Sequence, residues 1–231
     1  MAARSSRWVL PILLLAASVL GLGCNVLSLP FFLFGPEPKV PPEMARLSSE
    51  DKDRKVRVVI LTLPEHLETR PEFSGVEREL TNKLAKHLLE GFKANEEKVA
   101  VVPPSKVDQF KADTPNWRSL DIKDDIGRTK FNADYVIVLE IHSLSLYQSG
   151  SGNMLFRGKA NIGVTLINVF DPDGAPEKKE FVKEFPTENK GEIAVGDMTL
   201  TQFREQFVDF IAKNLSWYFT AHPTADRYSC E

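Results

Sequence analysis

Residues 56–63 read Val-Arg-Val-Val-Ile-Leu-Thr-Leu, and this run decides the fold. The run is β-branched and almost continuously apolar, which is typical of a strand covered on both faces of its sheet. Pro64 ends it, because proline donates no backbone hydrogen bond to a ladder. A strand buried on both faces needs helices packed around it. The sequence therefore predicts an α/β (α+β) fold.

A long amphipathic helix is predicted directly after this strand. Ser74 and Glu77 have the spacing of a capping box, so we expect the helix to open at Ser74. Apolar side chains then recur at helical spacing and predict one buried stripe. The stripe comprises Val76, Leu80, Leu84, Ala85, Leu88, Leu89 and Phe92. Residues 98–102 predict a short second strand, which completes a right-handed β-α-β unit.

Two shorter helices and a third buried strand are predicted in the middle of the chain. Residues 105–111 and 120–131 favour helices, the second capped by Asp121 or Ser119. Residues 133–147 favour the strand, because they are again mostly β-branched and apolar.

The second half of the chain predicts an antiparallel hairpin and a last helix. Residues 154–170 alternate in polarity like a long strand, and residues 171–174 (Asp-Pro-Asp-Gly) predict a turn. Apolar residues are sparse over residues 177–185, so we expect this return strand at an edge. Thr199 and Gln202 predict a second capping box. The predicted order is β-α-β-α-α-β-β-β-α, with a single mixed β-sheet packed with helices.

The first 24 residues have the layout of a secretory signal. Arg4 and Arg7 precede an apolar run, and the run closes on Gly23 and Cys24. A cysteine directly after a small residue resembles the bacterial lipobox, which implies that the Cys24 thiol carries an acyl anchor such as palmitate. The uncharged stretch over residues 8–34 is also long enough to be an uncleaved anchor. Both alternatives place the rest of the chain outside the cytoplasm.

The chain is expected to have one folded domain behind this anchor. Four prolines over residues 36–42 favour an extended spacer. The predicted layout is a signal peptide at 1–23, an apolar and Pro/charged tether at 24–54, a globular domain at 55–222 and a disordered tail at 223–231. The role of Cys230 in the tail stays open between a free thiol and a bond to another chain.

The globular part resembles a known bacterial domain. Residues 132–138 (Asn-Ala-Asp-Tyr-Val-Ile-Val) are similar to the Gly-Ala-Asp-Tyr entry to a central strand, and the patterns at 56–61, 79–85 and 164–169 agree. This pattern resembles the envelope lipoprotein domain shared by CsgG and LpoB, which is akin to the N-terminal domain of TolB. The resemblance implies a periplasmic domain that engages envelope proteins. The loops offer no membrane-length hairpin pair, so a CsgG-like pore is not expected.

No motif for catalysis or cofactor binding is present. The sequence contains neither a nucleophile elbow nor a Gly-rich phosphate loop, and its four histidines lack the spacing of a zinc site. We expect His87 on a solvated face, and His142 and Asp134 in structural roles. A net charge of −3 gives no footprint for nucleic acid. The sequence thus predicts no metal, no cofactor, no catalytic residue and no evident small-molecule substrate.

These observations favour a non-catalytic binding domain, lipid-anchored to the cell membrane or outer membrane and held in the periplasm. An envelope protein is the expected partner. The predicted contact is the return strand, at Phe181, Val182 and Lys183, because an edge strand can accept a partner strand. An enzyme whose site has no local motif is the alternative. The choice of membrane and the oligomeric state stay open.

Acylation of Cys24 is directly testable. Metabolic labelling with a fatty-acid probe is expected to mark the wild-type chain, and Cys24→Ser is expected to abolish the label because the acceptor thiol is lost. Label that persists in the variant would contradict this assignment. Ser229→Ala, a substitution in the predicted tail, serves as the control.

Overall fold

The computed structural model describes residues 37–45, 47, 54–64, 71–171, 174–187 and 190–224. Residues from Lys39 onward belong to one unit. Its strands are β1 (Lys39–Val40), β2 (Val56–Pro64), β3 (Val99–Val101), β4 (Tyr135–Tyr147), β5 (Leu155–Asn168), β6 (Glu177–Phe185), β7 (Ile193–Ala194) and β8 (His222–Pro223). Its longer helices are α1 (Val76–Ala94), α2 (Pro104–Asp113), a π-helix (Ile122–Lys130) and α3 (Leu200–Ser216).

The main sheet is mixed, as predicted. Its order is β3-β2-β4-β5-β6, with β7 paired beside β5, and β1 pairs separately with β8. Strand β2 is parallel to both β3 and β4, while β4, β5 and β6 are antiparallel. The α/β class and the predicted order of the long elements are therefore confirmed, and the short strands β1, β7 and β8 are additions.

Helices cover both faces of β2. Val58 and Ile60 point into a core shared with α1 and α3, while Val59 and Leu61 point into a second core beneath α2 and the π-helix. All four side chains are buried. The second core ends near β4, so the opposite face of β5 and β6 lacks a helical layer among the described residues.

Helix α1 is capped one residue later than predicted. Its N-cap is Gly75, at φ +71°, and no side chain caps it, so the predicted Ser74/Glu77 capping box is wrong. The Ser74 amide instead donates to Pro71 O at 3.1 Å and closes a short 3-10 turn. The left-handed conformation that follows favours glycine, which has no Cβ. Leu89, predicted in the buried stripe, is 46% exposed.

The helix predicted over residues 120–131 is present with π geometry. The Asp121 side chain accepts from the Asp124 amide at 2.7 Å, which confirms one of the two predicted caps. A Cβ on Gly127 would lie 2.9 Å from Val136 and Val169, so the helix backbone packs directly on β4. The Thr199/Gln202 capping box of α3 is also confirmed.

Residues 39–47, which we call the strap, pack on the domain. The structure describes 39–45 and 47 of this segment, and Met44 and Leu47 are buried in the larger core. Backbone pairing joins β1 to β8 at Lys39 with Pro223 and Val40 with His222. The predicted tether and tail boundaries are therefore wrong at these residues. The apolar side chains of Met44 and Leu47 stand alone among polar neighbours, so the sequence does not predict that they are buried.

Several predicted features lie outside the described residues. These are Cys24, His66, Cys230 and part of the turn at 171–174.

The close contact of β5 with α3 generates a stability prediction. A Cβ on Gly158 would lie 2.5 Å from the Phe207 ring, so Gly158→Ala is expected to destabilise the fold by about 1–3 kcal/mol through overpacking. Gly196→Ala is the control, since no heavy atom lies within 4 Å of its Cβ position. Urea unfolding of both variants measures the difference, and equal midpoints would contradict it.

Candidate functional site at the open edge of the sheet

Strand β6 is an edge strand, as predicted. It pairs only with β5 in the part of the chain that the structure describes, with Phe181 opposite Ile162 and Val182 opposite Asn161. The ladder runs without a register shift from Glu177 to Phe185. The other side of β6 is therefore the natural place for a further strand.

The direction of the β6 backbone follows from one contact. The Tyr218 hydroxyl donates to Glu180 O at 3.3 Å, so this carbonyl points away from β5. Alternate residues of an antiparallel edge strand point their backbone groups the same way. Val182 and Glu184 therefore present their N–H and C=O groups to the open side.

Side chains along β6 divide between the core and the surface. Phe181 is fully buried and meets Tyr218 edge-on, with ring centroids 5.9 Å apart. Its side chain is thus unavailable to a partner, which corrects its predicted contact role. Val182 is 53% exposed, and Lys183 is exposed beside it. Both of these predicted contact residues lie at the surface.

Aromatic packing fixes the far end of β6 against α3. Phe185 lies 5.6 Å from Phe203, 6.4 Å from Phe207 and 5.2 Å from Phe210, measured between ring centroids. The far end of β6 is therefore held against α3 by an aromatic cluster.

Arg157 on β5 forms two ion pairs, one with the end of β6 and one with the residue before β7. Its Nε atom donates to Glu184 at 2.9 Å, and its Nη1 atom donates to Glu192 at 3.0 Å. A hydrogen bond from Lys159 lowers the pKa of Glu184, and Arg157 lowers it further, against the opposing effect of burial. Burial favours a lower pKa for Arg157, but its two carboxylate partners outweigh burial and raise it.

The open edge continues past β6 along β7. Residues Ile193 and Ala194 pair with Phe156 and Leu155 on the same side of β5. The Val195 amide then donates to Met154 O at 3.0 Å. Met154 is 68% exposed and Val195 is 40% exposed, so this end of the edge is apolar. We call residues 181–185 and 193–195 the open edge. Sequence reasoning missed its second part because two residues carry no strand pattern.

The strap covers the first half of β6. The Lys179 ammonium donates to Glu43 O, and the Ala45 amide donates to Glu177 at 2.8 Å. The Met44 amide donates to Tyr218 O at 2.9 Å.

Tyr218 lies where the strap meets β6, and the pKa of its phenol is raised. Burial raises the pKa of its phenol to about 12, and the carboxylates of Glu43 and Glu180 contribute. Glu43 is therefore the strap residue that contributes to this raised pKa.

His87 belongs to a helix contact and not to a solvated face. Its Nε2 atom lies 3.1 Å from Asp209 on α3, and Lys83 lies 3.5 Å from the same carboxylate. Burial acts to raise the pKa of Asp209, but His87 and Lys83 lower it overall. The predicted solvation of His87 is wrong because α3 packs over that side of α1.

Asp134 and His142 have structural surroundings. Asp134 accepts from the Arg57 amide at 2.7 Å and from the Arg54 guanidinium, which ties the starts of β2 and β4 together. His142 lies within β4, at a register shift, with Nε2 3.8 Å from Glu180. Their expected structural roles agree with these contacts.

The described residues offer neither a metal site nor a membrane-spanning helix. No group of three or more His, Cys, Asp or Glu side chains there is arranged to hold a metal ion. Likewise, none of the helices in that part of the chain has the length and apolarity needed to cross a membrane.

Comparison with known proteins finds distant structural matches. No protein-family model matches the chain, and no curated protein matches it. A PelC dodecamer from Paraburkholderia phytofirmans matches at 15% identity and a TM-score of 0.40, covering 80% of this chain and 98% of that one. Lipoprotein GNA1162 from Neisseria meningitidis matches at 11% identity and 0.39, covering 70% and 98%. At these scores the similarity assigns no family, and the CsgG/LpoB-like resemblance stays a prediction.

The Glu184 cluster generates a pH prediction. Because the folded pKa lies below its ordinary value of 4.5, the carboxylate stabilises the fold above that pH, and this contribution is lost as pH falls through the folded pKa. Glu184→Gln is therefore expected to be less stable than the wild type at pH 7, with a difference that shrinks toward pH 3. Urea unfolding at both pH values measures it, with Glu205→Gln on α3 as the control. A difference that is constant with pH would contradict the assignment.

Proposed function

We propose that the chain is a non-catalytic envelope lipoprotein, anchored through Cys24, whose domain captures an extended segment of a protein partner along the open edge. The observation that carries this proposal is the outward direction of the backbone groups of Val182 and Glu184, beside the exposed Val182 side chain. Added strands gain affinity from main-chain hydrogen bonds and specificity from side-chain contacts.

Charge along the edge favours a selected partner over self-pairing. Lys178 and Lys183 are exposed on β6, whereas Lys159 on the neighbouring strand is already paired with Glu184. Two copies that paired along this edge would bring several of these ammonium groups together, and lysine is a common guard of edge strands. A partner segment with carboxylates beside an apolar residue would instead complement the lysines and Val182.

The polar clusters of the domain support a non-catalytic role. His87 and Asp209 join two helices, while Arg157 and Glu184 bracket the end of β6. Asp134 joins strand ends. Each of these clusters already serves a structural contact.

Proline at position 182 tests strand capture. Val182→Pro removes an N–H group that points away from β5, so the ladder is expected to stay intact while partner binding falls by at least about tenfold. Val182→Thr is the matched control, because it keeps the N–H group and β-branching. Unchanged capture by the proline variant would exclude this strand.

The readout is photo-crosslinking in the native envelope from a probe at Lys183, which is exposed on β6. A probe at Leu89, also exposed but on α1, controls for chance proximity. We expect one adduct from position 183 only, lost in Val182→Pro and kept in Val182→Thr. Equal adducts from both probe positions would contradict the proposed site.

A further inference from the structure

The strap contacts the start of β6 through a small set of groups. Glu43 O and the Ala45 amide meet Lys179 and Glu177, while the Met44 amide meets Tyr218 O. The strap does not pair as a strand with β6, because two of these contacts reach side chains of β6 and the third reaches Tyr218. Its hold on the edge is thus local and polar.

Two apolar side chains anchor the strap from within. Met44 and Leu47 are both buried in the larger core, three positions apart. At its other end the strap is held by the two-residue β1–β8 pairing and by Lys39, whose ammonium donates to Asn95 Oδ1 at 2.6 Å. Among the described residues of the strap, the anchoring therefore combines two buried side chains with a short backbone pairing and the Lys39 contact.

A groove open to solvent runs beside the strap. Its volume is about 780 Å³, and it lies between the strap and the end of α1. Its lining includes Pro41, Pro42 and Met44 from the strap, with Asn95 and Ala221 opposite. Fixing an extended segment costs backbone entropy for every residue, and among the described residues the strap forms two ladder pairs, where β4 and β5 share a long ladder. The strap is thus held less firmly than the sheet on which it lies.

We propose that the strap is a removable cover, and that the surface it occupies is a second docking site for an extended peptide with apolar side chains three positions apart. The strap itself shows what this surface accepts: a Met and a Leu in the core, and backbone groups against Glu177, Lys179 and Tyr218. When the strap leaves, the side chains of Glu177 and Lys179 at the start of β6 lose their strap partners and become available beside the open edge. The use of this site by a partner rests on the proposed strand capture.

Hydrogen exchange in the full-length, unmodified chain tests removability. The Met44 amide is bonded to Tyr218 O, so it exchanges only when the strap opens. We expect it to exchange at least about tenfold faster than the Ile137 and Val138 amides of β4, through a local opening. Exchange at the same rate as β4 would mean that the strap opens only with global unfolding, and would overturn the proposal.

A peptide tests the docking surface in trans. The probe is a labelled peptide of residues 39–47 (Lys-Val-Pro-Pro-Glu-Met-Ala-Arg-Leu), and its control carries Asp in place of Met and Leu. We expect the probe to bind the full-length Met44→Asp/Leu47→Asp variant and not the wild type, and the control to bind neither. Met44→Leu, which keeps an apolar anchor, is expected to exclude the probe like the wild type.

Occupation by the peptide has a second readout. Tyr218 in the Asp variant is expected to titrate nearer to its ordinary pKa of 10.0 than in the wild type, and the probe is expected to reverse this shift. Subtracting the Tyr218→Phe titration isolates this residue. A variant that loses its β4 protection, or a probe that fails to bind at millimolar concentration, would overturn the proposal. None of these measurements uses the natural partner, so they stand apart from the Val182→Pro result.

Discussion

Burial of β2 on both faces is the constraint on which the rest of the structure depends. Val58 and Ile60 require α1 and α3 on one side, while Val59 and Leu61 require α2 and the π-helix on the other. The second layer ends once these apolar residues and their β4 neighbours are covered. Within the part of the chain that the structure describes, strands β5 and β6 therefore carry helices on one face only. Because only β2 and β4 need helices on both faces, β6 is left as a half-exposed edge strand.

The sequence predicts those parts of the fold that repeat a pattern over many residues. Strand β2 and helix α3 show their periods plainly, so their type and burial follow from local residues. Contacts set by one or two residues do not follow. Met44 and Leu47 stand among polar neighbours, and the Ser74 capping box fails because a left-handed Gly75 precedes the helix.

The candidate site also combines features that the sequence predicts with features that it does not. Sparse apolar residues correctly placed β6 at an edge, but they could not tell the buried Phe181 from the exposed Val182, since this depends on which face α3 covers. Arg157 was also missed, because Glu184 and Glu192 become its partners only when β7 returns beside β5. Ion pairs between segments that are far apart in the chain leave no local pattern in a sequence.

The connectivity gives the strap an importance beyond its size. The same short segment lies between the N-terminal region, where the anchor is predicted, and the edge strand where capture is proposed. A pull on the chain ahead of Lys39 would act on the β1–β8 pairing and on the buried Met44 before it reached the main sheet. The sheet behind them is bonded over long ladders. The proposed anchor and the proposed capture edge are therefore connected along the chain through the strap.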